Sequence, residues 1–155
     1  MPEFTELEYA GFWVRVGASL IDSLLLIILT LPITLMIYGD RVWDSDSFIL
    51  GPADFLVNYI LPAIAVVLFW LYKSATPGKM ILHLKVVDAH TGASLTVGQA
   101  IGRYLGYFVA MIPLMIGILW VGFDRKKQGW HDKLANTVVV RDKNRIQPVS
   151  FVNQV

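Results

Sequence analysis

The chain has 155 residues, of which 55% are hydrophobic and 16% are charged, and its formal net charge is +1. With a mean hydropathy of +0.58, it is too apolar for an ordinary soluble domain of this length. It contains no cysteine, which excludes disulfides, thiolate metal ligands and cysteine nucleophiles.

The first predicted element is a membrane helix over residues 12–38. Its apolar run extends from Val16 to Ile37, and about 20 such residues cross the hydrocarbon core of a bilayer. Glu3, Glu6 and Glu8 precede the run, whereas a signal peptide begins with basic residues. We therefore expect a permanent membrane anchor.

A charged site is predicted inside this helix. Asp22 lies within the apolar run and Arg15 at its edge, and a carboxylate at that depth costs about 2.5 to 3.5 kcal/mol. Arg15, Ser19 and Asp22 are spaced i, i+4 and i+7, so they share one helix face. Because two helical turns put Asp22 about 10 Å deeper than Arg15, we expect another helix to supply the cation nearest to Asp22.

A second membrane helix is predicted from Phe55 to Tyr72, after a polar linker. Basic residues are concentrated after this helix, whereas the linker contains only Arg41. Lys and Arg accumulate on the cytoplasmic side of membrane proteins. We therefore expect a protein of the plasma (bacterial inner) membrane with a cytoplasmic N-terminus and an external linker.

A small cytoplasmic β-hairpin is predicted after the second helix. Met80 to Asp88 alternates and is rich in β-branched residues, His90 to Gly92 suits a turn, and Ser94 to Val97 suits a returning strand. The preceding turn, Thr76 to Gly78, places Lys79 near the lipid surface.

A third apolar segment, Tyr104 to Phe123, has basic residues on both flanks. A single crossing would put one basic flank outside, whereas a bend at Pro113 would return the chain to the cytoplasm as two short helices. Such irregular backbone is tolerated only when it is buried in protein. Thr137 to Arg141 predicts a further strand, and its need for a partner in the hairpin favours the return.

The predicted fold is an all-α polytopic membrane protein with a small cytoplasmic β-element. It has two full transmembrane helices and a third apolar segment that is either a Pro-bent hairpin or a third crossing. One membrane domain covers residues 10–142, and residues 1–9 and 143–155 are short tails.

A polar stripe begins the third segment, where Gln99, Arg103 and Tyr107 are spaced i, i+4 and i+8. This stripe makes Arg103 the best candidate for the partner of Asp22. Two interpretations remain open, namely a structural ion pair that fixes helix packing and a protonatable or cation-binding carboxylate, because intramembrane acids often mark ion pathways.

Two further patterns concern packing and lipid. Glycines recur every fourth residue at Gly98, Gly102 and Gly106, which predicts a smooth face for close helix approach. Residues 124–136 form a basic, aromatic segment that is either an ordinary cytoplasmic flank or a binding site for anionic headgroups. Its cations are Arg125, Lys126, Lys127 and Lys133.

Other site classes have no sequence support. The spacing of His83, His90 and His131 matches no metal-ligand pattern. Gly-rich phosphate loops, nucleophile motifs and nucleic-acid modules are also missing. We therefore expect no metal, no cofactor, no nucleic-acid partner and no enzymatic activity.

Several motifs follow one another in order, namely Phe12 to Arg15, Ile21 to Asp22, Thr76 to Lys79, His83 to Asp88, Gln99 to Arg103 and Trp130 to Val139. With these motifs the chain resembles the RDD family of small membrane proteins, named for one arginine and two aspartates. The resemblance covers residues 10–142, and its departure is Asn136, where glycine is expected. It assigns the arginine to Arg15, the first aspartate to Asp22 and the second to Asp132, with Asp88 as the competitor.

The family has been linked to sodium/proton antiport and salt tolerance, so the resemblance implies an antiporter of monovalent cations and protons, or a subunit of one. Asp22 would exchange a proton for a cation, Arg15 and Arg103 would tune its pKa, and Asp132 would gate or relay at the cytoplasmic mouth. Three apolar segments are few to enclose a path, so we expect a homo-oligomer in the lipid bilayer. The alternative is a non-transporting membrane adaptor that binds anionic lipid or a partner protein through its β-element and basic segment.

Overall fold

The structure, a computed structural model, describes residues 7–142. The predicted C-terminal tail, residues 143–155, and residues 1–6 of the N-terminal tail lie outside the described residues. Helix α1 (Phe12–Tyr38) is followed by a short helix α2 (Arg41–Asp44) in the linker. A second long helical span covers Pro52–Ile81, and both long spans meet the length and hydropathy needed to cross a membrane.

The second span is built from shorter pieces. These are α3 (Pro52–Phe55), a π-helical turn (Leu56–Ile60), α4 (Leu61–Lys73) and α5 (Pro77–Ile81). It therefore begins before the predicted Phe55 and extends past Tyr72. The two predicted transmembrane helices are confirmed.

Apolar side chains cover the outside of both spans. Leu24 and Met36 of α1 and Leu61 of α4 are exposed on the protein surface. Helices can expose such side chains because hydrocarbon surrounds them and the backbone polar groups of the helix interior bond within the helix. The fold is therefore one in which the bilayer acts as the solvent.

The third apolar segment is bent. Helix α6 (Val97–Met111) and helix α7 (Ile116–Leu119), which ends in a 3-10 turn (Trp120–Gly122), meet at an angle of 115°. Pro113 lies in the break, as predicted. A Cβ on Gly117 would lie 2.8 Å from Cα of Ala110, so the two arms pack closely just beyond the bend.

A three-stranded sheet joins distant parts of the chain. Strands β1 (Leu7–Tyr9), β2 (Leu84–Asp88) and β3 (Thr137–Asp142) are antiparallel in the order β1-β3-β2. Strand β2 precedes the bent segment and β3 follows it, and the two pair directly. Since paired strands lie on one side of a membrane, the sheet favours a returning segment over a full crossing.

The predicted hairpin is partly wrong. The turn at His90 to Gly92 is present, and Asp88 Oδ1 accepts hydrogen bonds from the backbone of His90 and Thr91. The residues from Ser94 to Val97 do not form the expected returning strand. Thr96 instead caps α6, with its hydroxyl accepting from the backbone N–H of Gln99, so the partner of β2 is β3.

Strand β1 was not predicted, and its residues were assigned to the tail. Its three residues show too short an alternation to be recognised, and pairing with β3 is what orders them. The core beneath the sheet contains Ala10, Ala18, Trp70, Leu84, Val86, Leu95, Ala100 and Val139.

The predicted glycine face is wrong for two of its three members. Among the described residues, nothing lies within 4 Å of a Cβ built on Gly98 or Gly102, whereas one on Gly106 would lie 2.9 Å from Cα of His131. Residues four apart drift around a helix by about 40°, since each residue turns about 100°. Only Gly106 therefore faces helix α8 (Trp130–Leu134).

Candidate functional site

A buried carboxylate at the start of α8 holds two arginines from different helices. Asp132 Oδ2 accepts a hydrogen bond from Arg15 Nη1 at 2.6 Å, and Asp132 Oδ1 accepts from Arg103 Nη1. Arg103 and Asp132 are fully buried, and 8% of Arg15 is exposed. One acid therefore links α1, α6 and α8.

Neutral groups complete this cluster. Arg103 Nη1 also donates to Thr137 Oγ1 at 2.7 Å, and the backbone N–H of Gly129 donates to Asp132 Oδ2 at 2.9 Å. Asp132 thereby anchors the backbone that begins its own helix as well as the two arginines. Such saturation of a buried carboxylate is what its burial requires.

Aromatic rings enclose the arginine of α6. The guanidinium carbon of Arg103 lies 5.2 Å from the ring centre of Trp70 and 5.7 Å from that of Tyr107. Tyr107 in turn stacks on His131, with ring centres 3.9 Å apart. Cation–π contacts of this kind contribute about 0.5 to 2 kcal/mol, so they support the position of Arg103.

Burial and neighbouring charges shift the pKa values of Asp132 and His131 in α8. Burial raises the pKa of Asp132, but Arg103 and Arg15 outweigh it and hold that pKa below its usual value. Burial lowers the pKa of His131 to about 3, against the pull of Asp132. At neutral pH, Asp132 is therefore charged and His131 is neutral.

The predicted pair of Asp22 and Arg103 is wrong, because Arg103 contacts Asp132 instead. Asp22 Oδ1 accepts from the backbone N–H of Gly78 at 2.7 Å, and Oδ2 accepts from the hydroxyl of Thr76. The partner of this intramembrane acid is therefore the turn before α5. A Cβ on Gly78 would lie 2.1 Å from the carbonyl oxygen of Ala18, so glycine permits the approach to α1.

Lys79 is the site residue that the sequence placed wrongly. Only 5% of it is exposed, so it does not lie at the lipid surface. Its ammonium donates to Thr76 Oγ1 at 3.5 Å, and within residues 7–142 no carboxylate oxygen lies within 4.0 Å of it. Thr76 therefore lies between Asp22 and Lys79. The turn chemistry at Thr76 to Gly78 was visible in the sequence, but its packing against α1 was not.

Gln99 and Tyr107, which the sequence places on one polar stripe with Arg103, contact different groups in the structure. Arg103 Nη2 donates to the Tyr107 hydroxyl at 3.5 Å, as their spacing suggested. Gln99 belongs elsewhere, since its side chain donates to Asp88 and accepts from the backbone of Thr96. Asp88, the competitor for the second aspartate, is held at this surface turn. The backbone of Thr91 and the side chain of Gln99 lower its pKa.

A cavity of about 270 Å³ lies beside Asp22 along α1. It is lined by Ser19, Asp22, Ser23, Thr76 and Lys79, among others. It brings the acid, the buried ammonium and two hydroxyls of α1 to one surface.

A second polar cluster at the other end of α1 was missed. The side-chain amide of Asn58 donates to Asp54 Oδ1 at 2.6 Å and to Thr34 Oγ1 at 2.9 Å, and the Tyr38 hydroxyl accepts from the Asp54 backbone. Asp54, Asn58 and Thr34 line a cavity of about 330 Å³. The repeat of Thr30, Thr34 and Tyr38 on α1 was the available sequence signal.

Some cations of the basic segment, residues 124–136, have partners within the protein and others are exposed. Lys133 pairs with Asp124 at 2.6 Å, and Lys127 donates to the carbonyl of Gly122 at 3.3 Å. Arg125 and Lys126 are exposed. Two of its four cations therefore stabilise the segment itself.

In the described part of the chain, no group of three or more His, Cys, Asp or Glu side chains could hold a metal ion.

Three proteins that are similar to this chain carry no stated activity, and one of them is described as a membrane protein. YxaI of Bacillus subtilis, described as an uncharacterized protein, is 35% identical over 150 residues, covering 84% of this chain and 96% of its own length. The uncharacterized membrane protein YteJ of Bacillus subtilis is 32% identical over 158 residues, covering 92% of this chain and 88% of its own length. The uncharacterized protein RP437 of Rickettsia prowazekii is 40% identical over 87 residues, covering 56% of this chain and 48% of its own length.

No solved structure matches the chain. The model of the RDD family matches residues 9–136, a range that contains Arg15, Asp22 and Asp132. This protein therefore belongs to the RDD family and is a membrane protein.

Proposed function

We propose that this protein exchanges a monovalent cation for a proton across the plasma (bacterial inner) membrane, with Asp22 as the carboxylate that binds either one. The observation that carries the proposal is the row of Asp22, Thr76 and Lys79 beside a cavity of about 270 Å³. An acid and a buried ammonium that share one hydroxyl can change their protonation together.

Lys79 supplies the compensating charge in this proposal. A cation that binds at Asp22 brings a positive charge close to the buried ammonium. Release of a proton from either side chain then keeps the total charge of the pair and the bound cation constant. Burial of unbalanced charge is expensive in a membrane, so this balance is what couples cation entry to proton exit.

The second polar cluster supports a path along α1. Ser19, Asp22 and Ser23 lie on the same helix face as Thr30 and Thr34, and the last two line the cavity beside Asp54. Thr30 lies seven positions after Ser23, or about 10 Å along the helix. Apolar residues fill that interval and would separate the two ends until the helices rearrange.

The cluster around Asp132 has a positioning role in this proposal rather than the gating role expected from the sequence. Asp132 is held by Arg15, Arg103 and the backbone of Gly129, so it fixes α1 against α6. The proposal retains the cytoplasmic N-terminus and a homo-oligomer. Ser19 and Ser23 are exposed on α1, and a second copy would cover them better than lipid.

Ion flux in proteoliposomes tests the proposal. A trapped pH indicator should report proton movement when sodium or potassium is added outside, and Asp22→Asn and Lys79→Gln should reduce it to the rate of protein-free liposomes. Asp46→Asn and Lys85→Gln change an exposed acid and an exposed lysine, so they should keep the original rate. Unchanged flux in Asp22→Asn, or no cation-dependent flux in the unaltered protein, would contradict the proposal.

A second candidate function is a membrane adaptor that binds anionic lipid headgroups. The exposed Arg125 and Lys126, which follow helix α7 and its 3-10 turn, favour this adaptor function. Co-sedimentation with vesicles cannot test an integral protein, so the measurement is enrichment of anionic lipid around the purified protein. Arg125→Gln with Lys126→Gln should abolish that enrichment.

A further inference from the structure

A cavity of about 360 Å³ lies between α1, α6 and the returning arm α7. Its walls are mostly apolar, and its volume is in the range of small-molecule sites. The apolar lining comes from Phe12, Val16 and Leu20 of α1 and from Met115, Ile118 and Leu119 at α7. The walls would suit the hydrocarbon part of a ligand.

One end of this cavity is cationic. Arg15, Lys79 and Arg103 all line it. Within residues 7–142, Nε and Nη2 of Arg15 and Nε of Arg103 are buried and have no hydrogen-bond partner. A buried donor without a partner is unfavourable, and an oxyanion in the cavity would satisfy such donors.

The charge balance points the same way. Asp132 is the carboxylate in contact with both arginines, and Asp22 is near Lys79 through Thr76. Three basic side chains therefore lie beside two acids. An anion would balance this excess of basic groups.

We infer that this cavity binds an anionic amphiphile, with a carboxylate or phosphate group against Arg15 and Arg103 and an apolar chain along α7. Leu20 and Leu119 are largely exposed, so the apolar end opens to the bilayer, from which the ligand enters. The shared chemistry is an oxyanion on a hydrocarbon chain, supplied by a fatty acid or by a lipid phosphate. The inference goes beyond ion exchange and does not depend on it.

Photolabelling in nanodiscs of phosphatidylcholine tests the inference. The probe is dodecanoate with a diazirine at its apolar end, and mass spectrometry locates the labelled peptides. Labels should map to α7 and the facing part of α1. Dodecanoate or dodecyl phosphate should suppress labelling at a concentration at least about tenfold lower than dodecanol, because only an oxyanion can accept charge-assisted hydrogen bonds from the arginines with full strength.

Competition by dodecanoate and dodecyl phosphate alike supports a general oxyanion site. Competition by one of them supports that source of the anion. Equal competition by dodecanol would overturn the inference, since the cationic end would then contribute nothing.

Matched variants on α7 separate the cavity from the bilayer surface. Ile118→Trp fills the cavity and should reduce labelling of α1 at least about tenfold, whereas Ile116→Trp changes a neighbouring side chain that does not line it and should leave labelling unchanged. Arginine variants are avoided because they also remove the pair with Asp132. Unchanged labelling in Ile118→Trp, with the protein still folded, would overturn the inference.

Discussion

The Nη1 atom of Arg15, in the first turn of α1, lies 2.6 Å from Oδ2 of Asp132, which is 117 positions later in the chain. Arg103 contacts the other oxygen of the same carboxylate. In the described residues neither arginine has another carboxylate within 4.0 Å. A single acid therefore balances two buried guanidinium groups and ties the beginning of the membrane domain to its end.

Asp132→Asn should lower the free energy of unfolding by about 3 to 5 kcal/mol, because it leaves two buried cations without an acid. Denaturant titration in detergent measures this loss. The matched control is Asp124→Asn, whose partner Lys133 is partly exposed, and there the loss should stay below about 1 kcal/mol. Equal losses in the two variants would mean that the cluster around Asp132 is not a buried ion pair.

The partner of Arg103 can be tested by a double-mutant cycle. Arg103→Gln and Asp132→Asn should show a coupling energy above about 0.5 kcal/mol, because each removes the other's partner. Arg103→Gln and Asp22→Asn should be additive within about 0.5 kcal/mol. Strong coupling in the second cycle, with additivity in the first, would restore the pairing of Arg103 with Asp22.

Glycine-to-alanine changes should differ sharply along the chain. Gly78→Ala and Gly106→Ala should each destabilise the fold by about 1 to 3 kcal/mol, because the added methyl group collides with the backbone of Ala18 or His131. Gly102→Ala meets open space within the protein and should stabilise helix α6 by up to about 1 kcal/mol. Thermal unfolding of the three variants ranks them, and a loss at Gly102 as large as that at Gly106 would contradict the packing of α6.

Stability should fall between pH 7 and pH 5. The pKa of His131 is lowered from 6.5 to about 3 by burial, so the unfolded chain binds more protons throughout the interval between these values. The contribution is complete above pH 6.5 and is lost as the pH falls towards 3. At about 1.4 kcal/mol per pH unit, the loss between pH 7 and pH 5 is about 2 kcal/mol.

His131→Phe keeps a ring beside Tyr107 and removes this titration. Its free energy of unfolding should vary less between pH 7 and pH 5, whereas the exposed His90→Asn should keep the original slope. Asp132 does not obscure the comparison, because its pKa is held below the usual carboxyl value and its contribution is lost only at lower pH. A slope that survives His131→Phe unchanged would assign the pH dependence to other groups.

Single cysteines test the membrane topology of this cysteine-free chain. Asp46→Cys should react with an impermeant thiol reagent added to intact cells, whereas Thr91→Cys and Arg125→Cys should react only after the cells are opened. This follows from the distribution of basic residues and from the direct pairing of β2 with β3. Labelling at position 125 from outside would make the bent segment a full crossing.

Much of the architecture was predictable because it depends on local sequence. The apolar lengths predicted both membrane helices, Pro113 predicted the bend, and the strand predicted at Thr137 is present and pairs with β2. The short strand at Leu7 was not predictable, since pairing with β3 determines it. The strand expected at Ser94 failed because the capping box of Thr96 and Gln99 starts α6 there.

Arg15, Arg103 and Asp132 were named from the sequence, but the contacts between them were not. Helical spacing identified Arg15, Asp22 and Arg103, while the resemblance to a family supplied Asp132. Which acid meets which arginine depends on how α8 and the turn at Thr76 pack against α1. No spacing within one helix contains that information, and it is why the burial of Lys79 was also missed.

The order of the strands has a consequence for biosynthesis. The central strand, β3, is the last of the three to leave the ribosome, so both edge strands are made before the strand with which they pair. Insertion of α1 and the second span into the bilayer precedes completion of the sheet during synthesis. Strand β3 can therefore pair only after all the helices that precede it have been translated. Nascent chains that stop before Thr137 would present two unpaired strands to cellular quality control.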